Sequence, residues 1–249
     1  MMLRLKNMSV QRAGRQLISG LDCALHHGEI IVVLGPNGAG KSSLLLALAG
    51  LIPLTGELEL CGKPLSSYAR SELTEKIAWQ GELPPTEFGL TVQQRLELSM
   101  MHGTASIEQA VASMDIGDLL NRALGELSSG ERQRVELVAL MLRTTPIWLL
   151  DEPTAHLDLK HQVECVKMLK AERSKGRAIM TVLHDMQQAM AIADQLILVD
   201  GYGHAEYGAA KQLCNRNHLS RLFEVALMEQ GDILTPDYRG ELNDEITRS

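Results

Sequence analysis

The chain has 249 residues, 45% of them hydrophobic, which is enough to bury the core of one large α/β domain. Its formal net charge of -7, from 24 basic and 31 acidic residues, argues against general attachment to nucleic acid phosphates, and we expect no nucleic acid partner. The four cysteines show no paired spacing, so neither a zinc site nor a disulfide framework is indicated. We expect all four to be small buried apolar residues.

The sequence predicts no membrane-spanning segment. The longest apolar stretch, residues 44–54, is interrupted by Gly50 and Pro53 and is shorter than the ~20 residues that a span needs. The first residues are too mixed in character for a signal peptide. We therefore expect a cytoplasmic chain that reaches a membrane only through a partner.

The first half of the chain mixes predicted strands with one helix that follows a glycine-rich loop. Short apolar runs predict strands at residues 3–10, 30–34, 57–61 and 76–80. A helix is predicted over residues 41–50. Between residues 90 and 121 the pattern becomes helical, which indicates an inserted helical subdomain. From Ser129 a further helix would bury one face, because apolar residues recur at i, i+3, i+4 and i+7.

The second half alternates predicted strands and helices. Strands are predicted at residues 147–150, 178–183 and 196–199. Crossover helices are predicted at residues 159–174 and 185–193, and this alternation implies a largely parallel sheet. Short helices are predicted in the tail at residues 209–213 and 218–227, and the sequence does not indicate a role for them.

A glycine-rich loop between a predicted strand and helix matches the pattern G-x-x-x-x-G-K-[ST]. Its backbone N–H groups and the helix N-terminus would bind phosphate, Lys41 would reach the β and γ phosphates, and Ser42 would coordinate magnesium. The alternative is a glycine-rich turn with a chance lysine, and the strand–helix context favours nucleotide binding. The predicted nucleotide-binding residues here are Gly35, Pro36, Asn37, Gly38, Ala39, Gly40, Lys41, Ser42 and Ser43.

Three further polar residues follow predicted strands, at the sheet edge where ligands bind in parallel sheets. Asp151 would hold Mg²⁺ and Glu152 would polarise the water that attacks the γ-phosphate. His184 would hydrogen-bond the γ-phosphate and orient this water. The alternatives are a plain strand end for the acidic pair and a helix cap for the histidine. The loop residues Lys41 and Ser42 favour the catalytic interpretation.

The pentad Leu127-Ser128-Ser129-Gly130-Glu131 resembles the signature Leu-Ser-Gly-Gly-Gln of ABC ATPases. With Gln80 at a strand end, Ala-His-Leu-Asp at residues 155–158 and His184, the resemblance extends to about Val199. It implies an α/β fold with a P-loop NTPase (RecA-like) core, an N-terminal antiparallel β-subdomain and an inserted helical subdomain. The implied single ABC ATPase domain spans residues 1–249, with the core at 1–80 and 144–206, the helical subdomain at 81–143 and a C-terminal extension at 207–249.

The resemblance also implies roles for residues that spacing alone does not explain. Two copies would sandwich two ATP molecules, with Ser128, Gly130 and Glu131 of one completing the site of the other. Gln80 would sense Mg²⁺ and the attacking water, and would serve as both a catalytic and a metal-site residue. Asp158 would lie at the dimer seam. Without the family, Ser128 is only an N-cap and Gln80 a polar residue closing a strand.

Three departures from the family pattern affect details of the predicted site. Ser129 replaces the first signature glycine, and Glu131 replaces glutamine, although a carboxylate can also accept a ribose hydroxyl. The aromatic residue that usually stacks on adenine is missing. Arg12 falls at that position, and either its guanidinium stacks on adenine or it is an ordinary exposed charge.

Residues 158–162 and 182–189 resemble the importer ATPases for ferric siderophores, haem and cobalamin. This implies a homodimer beneath permease subunits, at the cytoplasmic face of the inner membrane, with ATP and Mg²⁺ as cofactors and an extracytoplasmic substrate-binding protein as an indirect partner. The motifs do not encode the cargo. The alternatives are another cargo, a soluble ABC ATPase outside transport, or a small-molecule kinase, which would leave the signature pentad unused.

Overall fold

The computed structural model describes residues 1–81, 83, 89–100, 107–231 and 233–238. The first strands are β1 (Leu3–Arg12), β2 (Arg15–Leu25), β3 (Ile30–Leu34), β4 (Thr55–Leu60), β5 (Lys63–Pro64) and β6 (Ile77–Gln80). The later ones are β7 (Ile147–Asp151), β8 (Ala178–Val182), β9 (Gln195–Val199), β10 (Ala205–Ala209), β11 (Leu227–Gln230) and β12 (Ile233–Pro236).

The α-helices that accompany these strands begin with α1 (Lys41–Leu48), α2 (Arg70–Lys76), α3 (Val92–Ser99), α4 (Ile107–Ser113) and α5 (Ser129–Met141). They continue with α6 (Leu159–Ser174), α7 (Met186–Ile192), α8 (Ala210–Leu213) and α9 (Arg216–Phe223). Among the described residues, no helix is long and apolar enough to cross a membrane.

A small antiparallel sheet packs beside the central sheet, in the order β2-β1-β4-β5. A two-residue turn of Ala13 and Gly14, both with positive φ, joins β1 to β2. Such turns match the twist of a hairpin, which is why glycine is favoured there. The hairpin places Arg12 at its tip, next to the turn.

The central sheet runs β10-β9-β3-β8-β7-β6, and among these strands only β10 is antiparallel to its neighbour. The predicted largely parallel sheet is therefore confirmed. Strands β3 and β8 are buried along their whole length, as expected for parallel strands covered on both faces. Because β3, β7 and β8 are parallel neighbours, the loops that follow them meet at one sheet edge.

Alternate residues of the central strands enter two separate cores. Ile31 and Val33 of β3 pack with α1 and the small sheet, whereas Ile30, Val32 and Leu34 pack with the helices of the other face. Each such fully buried side chain contributes on the order of 1.5–3 kcal/mol relative to exposure. The sheet edge that carries the glycine-rich loop is thus mounted on a layer that is covered on both sides.

Helices α3, α4 and α5 pack together on one side of the core. Arg95 of α3 makes a bidentate contact with Glu136 of α5, at 3.0 Å from Nε to Oε1 and 2.6 Å from Nη2 to Oε2. A partly buried pair of this kind needs fixed geometry, because each ion alone would be poorly solvated. On α5, the predicted apolar stripe is buried; it consists of Val135, Val138, Ala139 and Leu142.

Several details differ from the sequence predictions. Helix α6 has the predicted bounds, but β2, β10 and α2 were not predicted. The helix expected at residues 218–227 ends at Phe223, because Glu224 adopts a left-handed conformation, and β11 follows. Burial was wrong for Cys61, which is exposed in a turn, and Cys214 is only half-buried. Residues 82, 84–88 and 101–106 of the predicted helical subdomain, and 232 and 239–249 of the extension, lie outside the described residues.

Candidate functional site

The glycine-rich loop follows β3 and is packed too closely for other residues at two positions. A Cβ placed on Gly35 would overlap the carbonyl oxygen of Val199. Gly40 has φ 105°, and a Cβ there would lie 2.8 Å from Cβ of Leu17. Glycine is therefore required at both ends of the loop, where it lets the backbone fold tightly over the start of α1.

Lys41 lies buried beneath this loop. Its Nζ donates hydrogen bonds to the carbonyl oxygens of Gly35, at 2.8 Å, and Pro36, at 2.9 Å. Burial lowers the pKa of the ammonium, while the nearby carboxylates of Glu152 and Asp151 act in the opposite direction. The amine is thus held where an anion bound by the loop would meet it.

Asp151 ends β7 beside the glycine-rich loop of residues 35–42, the predicted phosphate loop, and the Ser42 hydroxyl hydrogen-bonds its side chain. Burial raises the pKa of the Asp151 carboxyl, against the effect of the Ser42 hydrogen bond. One carboxylate oxygen of Asp151 is buried without a hydrogen-bond partner among the described residues, and so are both amide atoms of Gln80. Gln80 pairs in register with Leu150, next to Asp151.

Asp151, Gln80 and Ser42 offer hard oxygen donors, of which Ser42 lines the cavity at the glycine-rich loop and Gln80 lines a neighbouring one. Mg²⁺ prefers carboxylate, hydroxyl and carbonyl oxygens, often together with water and phosphate. Buried polar atoms normally have partners, so the unpaired oxygens of Asp151 and Gln80 fit a ligand better than a sealed core. With the hydroxyl of Ser42, this donor set fits Mg²⁺.

Glu152 and His184 approach each other from the ends of β7 and β8. Oε1 of Glu152 lies 2.6 Å from Nε2 of His184. Glu152 has φ 53°, a conformation that costs free energy for a residue with a Cβ, and its backbone N–H donates to the carbonyl oxygen of Val182 at 3.2 Å. The backbone therefore turns the carboxylate towards the imidazole instead of continuing the strand.

A cavity of about 620 Å³ brings most of these groups together. It combines the basic residues Arg12 and Lys41 with the carboxylate of Glu152 and the imidazole of His184. The other lining residues are Ala13, Leu17, Asn37, Gly38, Gly40, Ser42 and Ser43. Arg12 thus lies on the wall of the cavity, as its proposed stacking role requires, and not on a remote surface.

The signature pentad lies apart from this cavity, at the N-terminus of α5. Oγ of Ser128 accepts from the backbone N–H of Glu131 at 3.2 Å, and Oε2 of Glu131 accepts from the N–H of Ser128 at 2.8 Å. This is a capping box, which satisfies two N–H groups at a helix start. The Ser128 contacts lower the pKa of Glu131, and Arg122, 3.2 Å from Oε1, acts in the same direction.

Two features of the signature region explain its sequence. Glu131 is a natural partner for Ser128 and Arg122, which accounts for the glutamate in place of glutamine. A Cβ on Gly130 would lie 2.7 Å from the carbonyl oxygen of His156, so this glycine is needed for close packing. Ser129 is exposed at the same helix end.

Sequence reasoning missed Gln133, which is buried on α5. Its Nε2 donates to the carbonyl oxygen of Pro153 at 2.8 Å, and so ties the signature helix to the turn after the acidic pair. The partner is 20 residues away in the chain, so local periodicity gives no sign of this contact.

Comparisons with known proteins identify the family of the chain. The sequence matches the family described as ABC transporter over residues 18–155. The hemin import ATP-binding protein HmuV of Nocardia farcinica is 36% identical over 238 residues, covering 89% of this chain and 82% of the relative. HmuV of Pseudomonas fluorescens is 31% identical, with 92% and 95% covered. The cobalamin import ATP-binding protein BtuD of Halobacterium salinarum is 30% identical, with 90% and 59% covered.

Solved structures share the fold. The ATP-binding subunit of an ABC transporter superimposes with a TM-score of 0.78 at 21% identity, covering 89% of this chain and 95% of that one. The cbiO1 protein of Clostridium perfringens, part of the transporter complex cbiONQ, gives a TM-score of 0.72 at 23% identity, covering 88% and 93%. The chain therefore belongs to the ABC transporter family, as one of its ATP-binding and ATP-hydrolysing proteins.

Proposed function

We propose that this chain drives the import of an iron complex, haem or a ferric siderophore, or of cobalamin, through a separate permease. The supporting observation is the similarity to hemin and cobalamin import ATPases over about nine-tenths of the chain, well beyond the 18–155 match shared by the broad family. Residues 158–162 and 182–189, which suggested this group, lie outside that match.

In the proposed hydrolysis step, Glu152 accepts a proton from the water that attacks the γ-phosphate. His184, 2.6 Å from this carboxylate, holds it in position and hydrogen-bonds the phosphate. Lys41 offsets charge on the β and γ phosphates. When bound, Mg²⁺ supplies charge neutralisation at the phosphate oxygens, and Ser42, Asp151 and Gln80 are the residues that would hold it.

ATP would bind in the cavity around the phosphate loop. Backbone N–H groups of the glycine-rich loop and of the first turn of α1 would bind the phosphates, because a helix N-terminus is suited to an anion. The guanidinium of Arg12 would stack on the adenine from the opposite wall. Asn37 and Gly38, at the exposed apex of the loop, would contact both the nucleotide and the second copy of the chain that would cover it.

A second copy of the chain would close this site. Ser128, Gly130 and Glu131 do not line the cavity of their own chain, yet they sit at the N-terminus of a 13-residue helix that favours an anion. Leu159, which follows Asp158, is 76% exposed, and a large apolar side chain so exposed favours burial in an interface. Both features support an ATP-sandwich homodimer with Asp158 at its seam.

A groove between α2, α3 and the residues after α5 would receive the permease. Its volume is about 470 Å³, and it is lined by Arg95, Arg143 and Leu98, which is 57% exposed. A smaller cavity adjoins this groove, shares Arg95 and Arg143 with it, and is also lined by Gln80. A permease segment bound in the groove would therefore act on Gln80. The complex would lie at the cytoplasmic face of the inner membrane, with a substrate-binding protein on the other side.

This arrangement gives each part of the chain a task. Residues 1–80 and 144–206 would form the nucleotide-binding core, and residues 81–143 the helical subdomain that carries the signature and meets the permease. The extension at 207–249 would pack on the core through its described part, where Leu213, Leu219 and Leu227 are buried.

The proposal is tested by measuring uptake of radiolabelled haem, ferric siderophore and cobalamin in the source organism. The chromosomal gene would carry Glu152→Gln, with Glu57→Gln, in an exposed ion pair, as the matched control. We expect Glu152→Gln to abolish uptake of one of the three cargoes and Glu57→Gln to leave all three unchanged. Unchanged uptake of all three with Glu152→Gln would overturn the cargo assignment.

A further inference from the structure

Two glutamines connect the helix after His184 to the turn after the acidic pair. Oε1 of Gln188, on α7, accepts from Oγ1 of Thr154 at 2.9 Å, and its Nε2 donates to Oε1 of Gln162 at 3.1 Å. Gln162, on α6, donates through Nε2 to the carbonyl oxygen of Leu157 at 3.0 Å. We call Thr154, Gln188, Gln162 and Leu157 the glutamine relay. It joins both ends of the segment 154–157 to α6 and α7.

The direction of every bond in the glutamine relay follows from one fixed group. The Leu157 carbonyl can only accept, so Gln162 must present its NH₂ to it and its oxygen to Gln188. Gln188 must then donate its NH₂ to Gln162, which leaves its oxygen to accept from the Thr154 hydroxyl. One consistent orientation of both amides uses each of these atoms.

Two members of the glutamine relay, Gln188 and Thr154, lie close in the chain to His184 and Glu152, which we call the hydrolytic pair. Asp185 caps α7, since its Oδ1 accepts from the backbone N–H groups of Gln187, at 2.7 Å, and Gln188, at 3.0 Å. Any shift of Gln188 therefore moves Asp185 and, with it, His184. On the Glu152 side, Thr154 is separated from Glu152 in the chain only by Pro153.

We propose that Gln162 and Gln188 are positioning residues that keep His184 within hydrogen-bond distance of Glu152. Their side-chain hydrogen bonds described above go to neither member of the pair, and they would act through Asp185 on one side and the segment 153–157 on the other. This inference rests on the proposed hydrolysis step, because it assumes that the Glu152–His184 contact is the one that matters for turnover.

The test measures kcat and KM for ATP with the purified full chain. Gln188→Met and Gln162→Met remove the amides at similar volume, and Thr154→Val removes only the hydroxyl. We expect each to lower kcat by about 10-fold or more with KM changed less than about 2-fold, because the phosphate loop is untouched. Thr154→Ser, which keeps the hydroxyl, should restore kcat.

Coupling between the members distinguishes the glutamine relay from three separate contacts. If the bonds work as one unit, the double variant Thr154→Val/Gln188→Met should be no slower than the worse single variant. A double variant whose loss equals the product of the single losses would overturn the relay.

Gln187→Met is the matched control, because Gln187 lies on the same helix but donates to the carbonyl oxygen of Leu234, at 2.9 Å, outside the glutamine relay. It should keep the wild-type kcat. An equal loss of kcat in this control, or wild-type kcat in all the relay variants, would overturn the inference while leaving the hydrolysis step intact. Failure of the proposed hydrolysis step would look different. In that case the wild type and Glu152→Gln would hydrolyse ATP at the same rate.

Discussion

Nε2 of His184 lies 2.6 Å from Oε1 of Glu152, although the two residues are 32 positions apart in the chain. The contact depends on β7 and β8 being parallel neighbours, with Asp151 in register with Val182. In the proposed hydrolysis step, a carboxylate fixed in this way would accept a proton without first reorganising, and such preorganisation is a main source of enzymatic rate enhancement.

Replacing the carboxylate should separate hydrolysis from binding. We expect Glu152→Gln to lower kcat by about 10²–10⁴-fold, because the amide cannot accept the proton, while ATP binding is retained. Phosphate release and nucleotide affinity are the two measurements. Retention of more than about a tenth of wild-type kcat would show that another group is the base.

Asp151 should destabilise the protein in the absence of nucleotide. Burial raises the pKa of its carboxyl above the usual 3.8. The folded state therefore binds the proton more tightly than the unfolded state, and the ionised carboxylate lowers stability at pH values above its folded pKa. We expect Asp151→Asn to raise the Tm of the nucleotide-free protein at neutral pH and to abolish Mg²⁺-dependent hydrolysis.

The pH dependence checks the cause. As pH falls through the folded pKa of Asp151 towards 3.8, the wild-type carboxyl becomes neutral in the folded state and the Tm difference from Asp151→Asn should shrink. A difference that stayed constant with pH would mean that the substitution acts through packing.

Arg12 should contribute to nucleotide affinity and not to the chemical step. We expect Arg12→Ala to raise KM for ATP about 3–10-fold at unchanged kcat, since stacking on a planar ring contributes on the order of 1 kcal/mol. Arg12→Tyr, which supplies an aromatic ring, should restore KM. Arg70→Ala, at an exposed position on α2, is the control. Identical KM values for Arg12→Ala and wild type would place the guanidinium in solvent.

The contact between Arg95 and Glu136 should matter for stability. Arg95→Met leaves a carboxylate that is partly buried without its partner, and we expect the free energy of unfolding to fall by about 3 kcal/mol. Lys6→Met, which breaks the exposed pair with Glu57, should cost less than about 1 kcal/mol. Urea unfolding of both variants makes the comparison, and equal losses would contradict it.

The residues at the sheet edge could be predicted because they follow apolar runs that form parallel strands of one sheet. Lys41, Asp151 and His184 each come directly after or just beyond such a run, and parallel neighbours bring those ends together. The Ser128 cap was also visible as a local pattern. These features depend on short-range sequence patterns and on the strand order, and the rules for connecting parallel strands leave few possible strand orders.

Other features depend on contacts that local sequence does not report. Strand β2 pairs with β1 through several register shifts, which disturb the alternation that identifies a strand. The bond between Gln188 and Thr154 joins side chains 34 residues apart. The exposure of Cys61 comes from a turn in which it has φ 50°, and composition gives no indication of that conformation.

The capping box at α5 also bears on how the proposed dimer opens. Ser128 uses an oxygen lone pair to accept from the N–H of Glu131, so its hydroxyl proton stays free to point outward. The signature serine can therefore donate to a phosphate on the opposite subunit without fraying its own helix. Each round of closure and separation would leave the end of α5 intact, so the contact can be made and broken in every cycle without refolding.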